Sequence, residues 1–150
     1  MNYLDFRHWC TEFLLEFGMH SDQAVELLAM ICAHESLGGK YRRQVGGGPA
    51  RGIYQMEPAT HDSIWDNSDT INGKALKLGI KRNLSQLEFD DRYATFVARC
   101  YLAMDKNPLP KTPEAMAEYC KSYWNRTGKA TQKKYLDDYN RWRNESSGSN

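Results

Sequence analysis

The stretch SDQAVELLAMICAHESLGG, residues 21–39, gives the clearest indication of how the chain folds. Its apolar residues recur at the spacing that places side chains on one face of an α-helix. The members of that face are Val25, Leu28, Ile31 and Cys32. Ser21 precedes the run and suits the N-cap of a helix, and Gly38 with Gly39 suits its end. The pattern predicts a buried helix that carries one acid, Glu35, on its apolar face.

The sequence on both sides of this stretch is also helical in pattern. Upstream, apolar residues from Leu4 to Phe17 follow helical spacing, and Gly18 ends the run. Downstream, predicted helix starts are Pro58, the capping-box pair Ser85 and Glu88, Thr112 with Pro113, and Thr131. No internal repeat, linker or alternating strand pattern is present. The sequence therefore predicts a mainly α protein.

Length and loop composition set the domain organisation. The 150 residues are enough for one domain with a real core and too few for two. Residues 40–52 are basic and rich in glycine, which predicts a loop or a small irregular hairpin after the helix at 21–39. We predict a single domain over residues 1–144. The polar tail at 145–150 is expected to be disordered.

Composition excludes several classes of function. The formal net charge is +1, so no global field draws the chain to a polyanion. No apolar run approaches the roughly 18–20 residues of a membrane span, and no signal peptide is visible at the N-terminus. The cysteines are far apart and fall on apolar helix faces: Cys10, Cys32, Cys100 and Cys120. We expect free buried thiols and a reducing compartment.

Glu35 is the first candidate for chemistry. A carboxyl on an apolar helix face loses hydration, which favours its neutral form and raises its pKa. A protonated carboxyl of this kind can donate a proton to the oxygen of a glycosidic bond, which is a poor leaving group until protonated. The alternative is structural: Glu35 pairs with Arg42 or Arg43, or faces solvent where the helix frays.

Other motifs lead to no second chemistry. His34 and Glu35 begin like a zinc-protease H-E-x-x-H, but position 38 is glycine, so no metal site is predicted. The three glycines at 46–48 lack the Lys-Ser/Thr of a phosphate loop. The basic and aromatic residues at 133–143 could bind nucleic acid, but a helix with inward aromatics explains them better. We therefore expect no nucleic-acid partner.

Two motifs together resemble a known family. Glu35-Ser36 is followed by ARGIYQMEPAT at residues 50–60. This pairing resembles the soluble lytic transglycosylase family of the lysozyme superfamily, particularly its bacteriophage versions. That family has a helix-terminal Glu-Ser before a Gly-hydrophobic-x-Gln-hydrophobic-x-Pro-x-Thr stretch. The matching later positions are Gly52, Ile53, Gln55, Met56, Pro58 and Thr60. Tyr123-Trp124-Asn125 looks like a modified form of the family's later Tyr-Asn element.

The resemblance covers residues 20–143 and implies a single-domain lysozyme-like fold around a sugar-binding cleft. It implies that Glu35 protonates the bond between N-acetylmuramic acid and N-acetylglucosamine in peptidoglycan. As a carboxylate, Glu35 then helps the muramyl 6-hydroxyl attack C1, which leaves a 1,6-anhydro end. No cofactor is implied. The substrate-binding candidates are Ser36, Tyr54, Gln55, Tyr123 and Asn125.

Glu57 departs from the family pattern, which has an apolar residue at this position. It is a candidate second carboxylate that would permit ordinary hydrolysis, as in a lysozyme. We favour a role as a cap for the helix that begins at Pro58, because an acid at a helix start is favourable. Asp62 and Asp66 are weaker candidates for a second carboxylate. The sequence leaves hydrolysis and transglycosylation both open.

The phage-like motif suggests a setting. Without a signal peptide, the protein is expected in the host cytoplasm with delivery to the periplasm by other proteins, or in a virion. It would act as an endolysin or as a virion-associated enzyme, with other phage virion or lysis proteins as partners. Two alternatives remain: a chitin-type glycosidase, and a virion structural or binding module that keeps a lysozyme-like fold without its chemistry.

Overall fold

Helices make up almost all of the regular structure. The computed structural model describes residues 1–147, and β-type pairing in that range is limited to two isolated bridges, Arg43 with Arg51 and Arg51 with Met56. The prediction of a mainly α chain is confirmed. In chain order the helices are α1 (Tyr3–Phe17), α2 (Asp22–Glu35), α3 (Pro58–Asn67), α4 (Ile71–Leu78), α5 (Gln86–Phe89), α6 (Asp91–Met104), α7 (Pro113–Tyr119), a π-helical segment (Cys120–Trp124) and α8 (Gln132–Ser147).

Most helix ends lie where the sequence predicts them. Gly18 ends α1 in the left-handed conformation, at φ +67°. The Ser21 hydroxyl accepts from the backbone N–H of the third residue after it, at 3.0 Å, and so caps α2. Thr112 and Thr131 make the same contact at the starts of α7 and α8, at 3.2 and 3.1 Å. These caps satisfy donors that a helix leaves free in its first turn.

The predicted capping box is wrong. The Ser85 hydroxyl donates to Asn83 Oδ1 at 2.6 Å, and Glu88 forms an ion pair with Arg43 at 2.7 Å. Neither side chain caps the long helix α6. Asp90 does so instead, because its carboxylate accepts from the backbone N–H of Tyr93 at 3.0 Å. A distant arginine thus competes successfully for the acid that the local pattern assigns to the cap.

The core is built around α2, which packs against α1, α6, α7 and α8. Its central residues, Leu27, Leu28, Met30 and Ile31, are fully buried. Burial of such a side chain stabilises the fold by about 1.5–3 kcal/mol relative to exposure in water. One helix surrounded on several sides explains why the stretch at 21–39 is apolar beyond a single face.

The prediction of free, buried thiols is confirmed in the described residues. The thiols are free and buried: Cys10, Cys32, Cys100 and Cys120. Burial raises the pKa of Cys32 and of Cys100 to about 12. A thiol that stays protonated at neutral pH is a poor nucleophile, so these side chains serve packing.

The C-terminal end differs from the predicted domain boundary. Helix α8 continues through Ser147, so the tail predicted at 145–150 begins inside the helix. The Ser146 hydroxyl accepts from the backbone N–H of Tyr3 at 2.8 Å, which ties α8 to the start of α1. Residues 148–150 lie outside the described range. Within that range, no helix has the length and apolar character needed to cross a membrane.

The glycine-rich segment folds against α5 through one close approach. Gly52 has φ +84°, and its N–H donates to the Arg42 carbonyl at 2.7 Å. A Cβ at this position would overlap the backbone carbonyl of Leu87. Because backbone atoms cannot move aside as a flexible side chain does, only glycine fits here.

We expect Gly52→Ala to lower the free energy of unfolding by about 2–4 kcal/mol, through backbone strain and overlap. Gly73→Ala is the matched control, since Gly73 lies in α4 with open space around it. That substitution should raise stability by up to about 1 kcal/mol because alanine favours a helix. Urea denaturation of both variants measures the difference, and equal effects would contradict the close approach.

Candidate functional site

An open cleft of about 650 Å³ lies at the C-terminal end of α2. Four further parts of the chain contribute to it: the loop after α2, the start of α3, Tyr101 of α6, and residues 124–129. Its volume falls within the roughly 300–1,000 Å³ of typical ligand sites. The residues that line it include His34, Glu35, Leu37, Tyr41, Val45, Gln55, Glu57, Tyr101, Trp124, Asn125, Arg126, Gly128 and Lys129.

Glu35 is the last residue of α2, and its side chain faces this cleft. Burial raises its pKa, while the charge of His34 and a hydrogen bond from Tyr135 act in the opposite direction. The Tyr135 hydroxyl donates to Glu35 Oε2 at 2.9 Å. The environment therefore favours a protonated carboxyl and keeps a donor in place for the carboxylate form. This combination suits a group that first gives and later accepts a proton.

The alternative that Glu35 pairs with Arg42 or Arg43 is wrong. Arg42 forms an ion pair with Asp91, with its two guanidinium nitrogens 2.5 and 2.9 Å from the carboxylate. Arg43 pairs with Glu88. Neither arginine neutralises Glu35, so its carboxyl remains available at the cleft.

His34 precedes Glu35, and its side chain contacts two residues of α8. Its Nδ1 lies 2.7 Å from Asp138 Oδ2, and Asp138 is only 1% exposed. Since an ionised carboxylate can only accept, Nδ1 carries the proton of this hydrogen bond. Arg141 and Lys134 approach the second oxygen of Asp138 at 2.8 and 3.3 Å. The centroid of the His34 ring also lies 4.1 Å from the centroid of the Tyr135 ring. Contacts with α8 therefore hold the last two residues of α2, His34 and Glu35.

Ser36 belongs to the scaffold of the site rather than its surface. It is fully buried, and its hydroxyl lies 2.7 Å from the Ile53 carbonyl and 3.2 Å from the Cys32 carbonyl. The same oxygen accepts from the Gly39 N–H at 2.9 Å. The sequence predicted a substrate contact. The structure instead gives Ser36 the task of joining the end of α2 to the Gly52–Tyr54 turn.

The two adjacent residues Tyr54 and Gln55 have different positions. Tyr54 is buried, its hydroxyl lies 2.7 Å from Thr95 Oγ1, and it does not line the cleft. Gln55 does line it, in the left-handed conformation with φ +48°. Its amide donates to the Gly52 carbonyl at 3.0 Å. Only the second of these predicted binding residues reaches the cleft with its side chain.

The later Tyr-Asn element divides in the same way. The Tyr123 hydroxyl donates to the Tyr101 carbonyl at 2.6 Å and lies outside the cleft lining. Asn125 lines the cleft and packs so closely on Gly128 that a Cβ there would overlap its side chain. Asn125 therefore remains a candidate contact residue, whereas Tyr123 supports the wall behind it.

Among the three candidate second carboxylates, Glu57 alone reaches the cleft in the described structure. Glu57 occupies the N-cap position of α3, but its side chain makes no capping hydrogen bond. Asp62 and Asp66 form ion pairs with Arg82, at 3.3 and 2.8 Å, and do not line the cleft. Glu57 therefore contributes to the start of α3 only by its position there. Its exposed carboxylate makes no capping contact and lines the cleft.

Sequence reasoning missed Tyr135 and Asp138. Tyr135, Asp138, Tyr139 and Trp142 occupy positions i, i+3, i+4 and i+7 of α8. This is the arrangement of an acid on an apolar stripe that identified Glu35, and it could have identified Asp138. Their contact with residues 34 and 35 joins positions about one hundred residues apart, so no local pattern predicts the pairing.

Comparisons with known proteins give no match. No family model fits the chain, and searches of curated proteins and of solved structures find no significant similarity. Within residues 1–147, no group of three or more His, Cys, Asp or Glu side chains is arranged to hold a metal ion. The functional inference accordingly rests on the carboxyl and on the cleft around it.

Glu35→Gln should stabilise the protein at neutral pH. Because the folded state holds the Glu35 proton more tightly than the unfolded chain, wild-type stability falls as pH rises above the ordinary glutamate pKa of about 4.3. Glutamine carries no charge, so the variant escapes this loss. Urea denaturation across pH should show the advantage at pH 7 and none below about pH 4. Glu12→Gln, on the exposed face of α1, should give no such pH-dependent advantage.

Tyr135→Phe should raise the pKa of Glu35 further, because it removes the hydroxyl that stabilises the carboxylate. Carbon-detected NMR titration of the Glu35 carboxyl measures this directly. Tyr139→Phe is the matched control on the same helix, since the Tyr139 hydroxyl donates to Glu26 at 2.5 Å. A pKa of Glu35 that stays constant or falls in Tyr135→Phe would contradict the role assigned to this hydrogen bond.

Proposed function

We propose that this protein cleaves the glycan strands of peptidoglycan as a lytic transglycosylase, with Glu35 as its acid and base. The observation that carries the proposal is the partly desolvated Glu35 carboxyl, hydrogen-bonded by Tyr135 at the floor of an open cleft. The resemblance of Glu35-Ser36 and residues 50–60 to the transglycosylase motifs supports the same conclusion. We infer a setting in phage lysis or wall penetration from the phage character of that resemblance.

The proposed reaction uses one carboxyl twice. Protonated Glu35 gives its proton to the glycosidic oxygen while the bond from that oxygen to C1 of the muramyl residue breaks. The carboxylate that remains accepts the proton of the muramyl 6-hydroxyl, whose oxygen forms the new bond to C1. No water is consumed, and Glu35 ends protonated. Burial assists the first step because it favours the neutral acid, and the Tyr135 donor assists the second because it stabilises the carboxylate.

The lining of the cleft suits a glycan. Tyr41, Tyr101 and Trp124 contribute aromatic surface, on which the apolar faces of sugar rings can stack. Gln55 and Asn125 also line the cleft. The Gln55 Nε2 donates to the Tyr41 and Gly52 carbonyls, which leaves its amide oxygen to accept from a hydroxyl or acetamido group of a ligand. A mixture of apolar surface and a few fixed polar groups is typical of small-ligand sites.

Glu57 supports a second candidate, hydrolysis by a lysozyme-type reaction. It lines the same cleft as Glu35, and its side chain is exposed there. In that reaction Glu57 would activate a water molecule or stabilise the positive charge on the sugar while Glu35 protonates the leaving group. The products distinguish the reactions, since hydrolysis leaves a reducing end and transglycosylation leaves an anhydro end.

The test is mass spectrometry of the products released from purified peptidoglycan. We expect wild-type fragments lighter by one water than hydrolysis products. Glu35→Gln should lower the rate by at least about 100-fold, the usual contribution of a placed general acid. Glu57→Gln should retain the anhydro products, and Glu12→Gln should match the wild type.

Other outcomes assign the alternatives. Reducing-end products that disappear in both Glu35→Gln and Glu57→Gln would establish hydrolysis. Equal activity of Glu35→Gln and the wild type would contradict Glu35 as the acid. Soluble chitin oligomers as a preferred substrate would indicate a chitin-type glycosidase. Absence of cleavage of any of these substrates by the wild type would contradict an enzymatic function and favour a binding module.

A further inference from the structure

The cleft wall at residues 124–129 has a backbone held in place from several directions. The Asn125 N–H donates to the Cys120 carbonyl at 2.8 Å, which continues the π-helical segment into the wall. Lys121 Nζ donates to the Gly128 carbonyl at 2.6 Å. Asn125 packs directly on Gly128. The wall is therefore a shaped segment, and it presents Arg126 and Lys129 from defined positions.

Arg126 and Lys129 differ from most cations of this protein. Both are exposed and line the cleft, and in the described part of the chain neither forms an ion pair or a side-chain hydrogen bond. Five other arginines have carboxylate partners: Arg42, Arg43, Arg82, Arg92 and Arg141. Arg51 and Arg99 donate to backbone carbonyls instead. Two cations without acidic partners on one short wall of a cleft form a site suited to an anion.

The remaining charged groups of the cleft do not neutralise this wall. Glu35 is turned toward Tyr135 of α8, and His34 is paired with Asp138. Glu57 is the acid that lines the cleft from α3, and it forms no ion pair with the wall. The lining from the loop after α2 is largely uncharged, through Leu37, Tyr41 and Val45. A ligand with an anionic substituent on one side therefore fits the cleft better than a neutral one.

We propose that Arg126 and Lys129 bind a carboxylate carried by the muramyl residue of the substrate. This inference rests on the proposed function and names the feature of the glycan that the cleft selects. N-acetylmuramic acid differs from N-acetylglucosamine by a lactyl ether that ends in a carboxyl group. That carboxyl is either free or joined to a stem peptide, which bears carboxylates of its own. Guanidinium and ammonium groups recognise both by charge-assisted hydrogen bonds.

The experiment measures binding in a Glu35→Gln background, which should prevent turnover during titration. Three soluble tetrasaccharides serve as probes: a neutral chitin oligomer, an alternating muramyl oligomer with free lactyl carboxylates, and the same oligomer with stem peptides. Calorimetry gives Kd for each probe, with and without the additional pair Arg126→Gln and Lys129→Gln. The matched control is Lys77→Gln with Lys81→Gln, which removes the same charge from exposed positions outside the cleft.

We expect the wall variant to weaken binding of a carboxylate-bearing probe by about 10- to 100-fold, as loss of charge-assisted hydrogen bonds predicts. Its affinity for the chitin oligomer should stay constant, and the control should retain all affinities. The affected probe identifies the source of the carboxylate. Loss for the free lactyl probe alone indicates the lactyl group, and loss for the peptide-bearing probe alone indicates the stem peptide.

The proposal would be overturned if the wall variant weakened the binding of all three probes equally or of none of them. It would also be overturned if protein with the wild-type Arg126 and Lys129 bound none of the probes. Added salt provides an independent check, because it should reduce the preference for the anionic probe in the wild-type wall and leave the variant little changed. The proposed function fails on different evidence, namely wild-type protein that releases no anhydro fragments or Glu35→Gln that remains active. In the first case a selective wall can still be observed, since binding is measured without cleavage. In the second case the same selectivity is measured as the rate of cleavage of the three probes with and without the wall substitutions.

Discussion

The packing of α8 on the end of α2 is the contact on which the site depends. Glu35 must lose water to hold its proton, yet it must also be able to carry a charge. Burial of the helix end provides the first condition, and the Tyr135 hydroxyl at 2.9 Å provides the second. The same helix face extends the contact, since Tyr139 donates to Glu26 on α2 and Trp142 packs on Gly38 just beyond it. A shift of α8 would therefore change the environment of Glu35 together with the packing of the core.

The loop after α2 is fixed by buried polar contacts that do not touch the cleft. Ser36 has no exposed surface, but its hydroxyl connects the end of α2 with the carbonyl of Ile53 and the N–H of Gly39. Loss of such a hydroxyl would leave buried backbone groups without a partner, which costs about 1–3 kcal/mol. Gly52 adds a backbone approach that no other residue permits. The motif at residues 50–60 thus has two parts. Gly52, Ile53 and Tyr54 belong to the scaffold, and the residues that line the cleft are Ala50, Gln55, Met56, Glu57 and Thr60.

The sequence predicts features that depend on neighbouring residues and misses those that depend on distant ones. Ser21, Thr112 and Thr131 cap their helices as expected because each needs only the N–H groups of the next turn. The capping box at Ser85 fails because Arg43, far away along the chain, takes Glu88. Glu35 is predictable from helical spacing, and its partner Tyr135 is not. Tyr54 and Tyr123 were assigned to the cleft by motif, but their hydroxyls are used by Thr95 and by the Tyr101 carbonyl.

The pairing of His34 with Asp138 bears on the pKa of the neighbouring Glu35 carboxyl. A positive charge on His34 lowers the pKa of Glu35 and so opposes protonation of the carboxyl. Asp138 places a buried negative charge on the far side of the imidazole, and the field of the pair at Glu35 is weaker than that of His34 alone. Lys134 and Arg141 lie 3.3 and 2.8 Å from the other oxygen of Asp138, so cations also approach this buried side chain from the surface. Burial is the largest influence on the pKa of Glu35. The effect of a charge on His34 is smaller, and Asp138 lies on the far side of that ring to counter it.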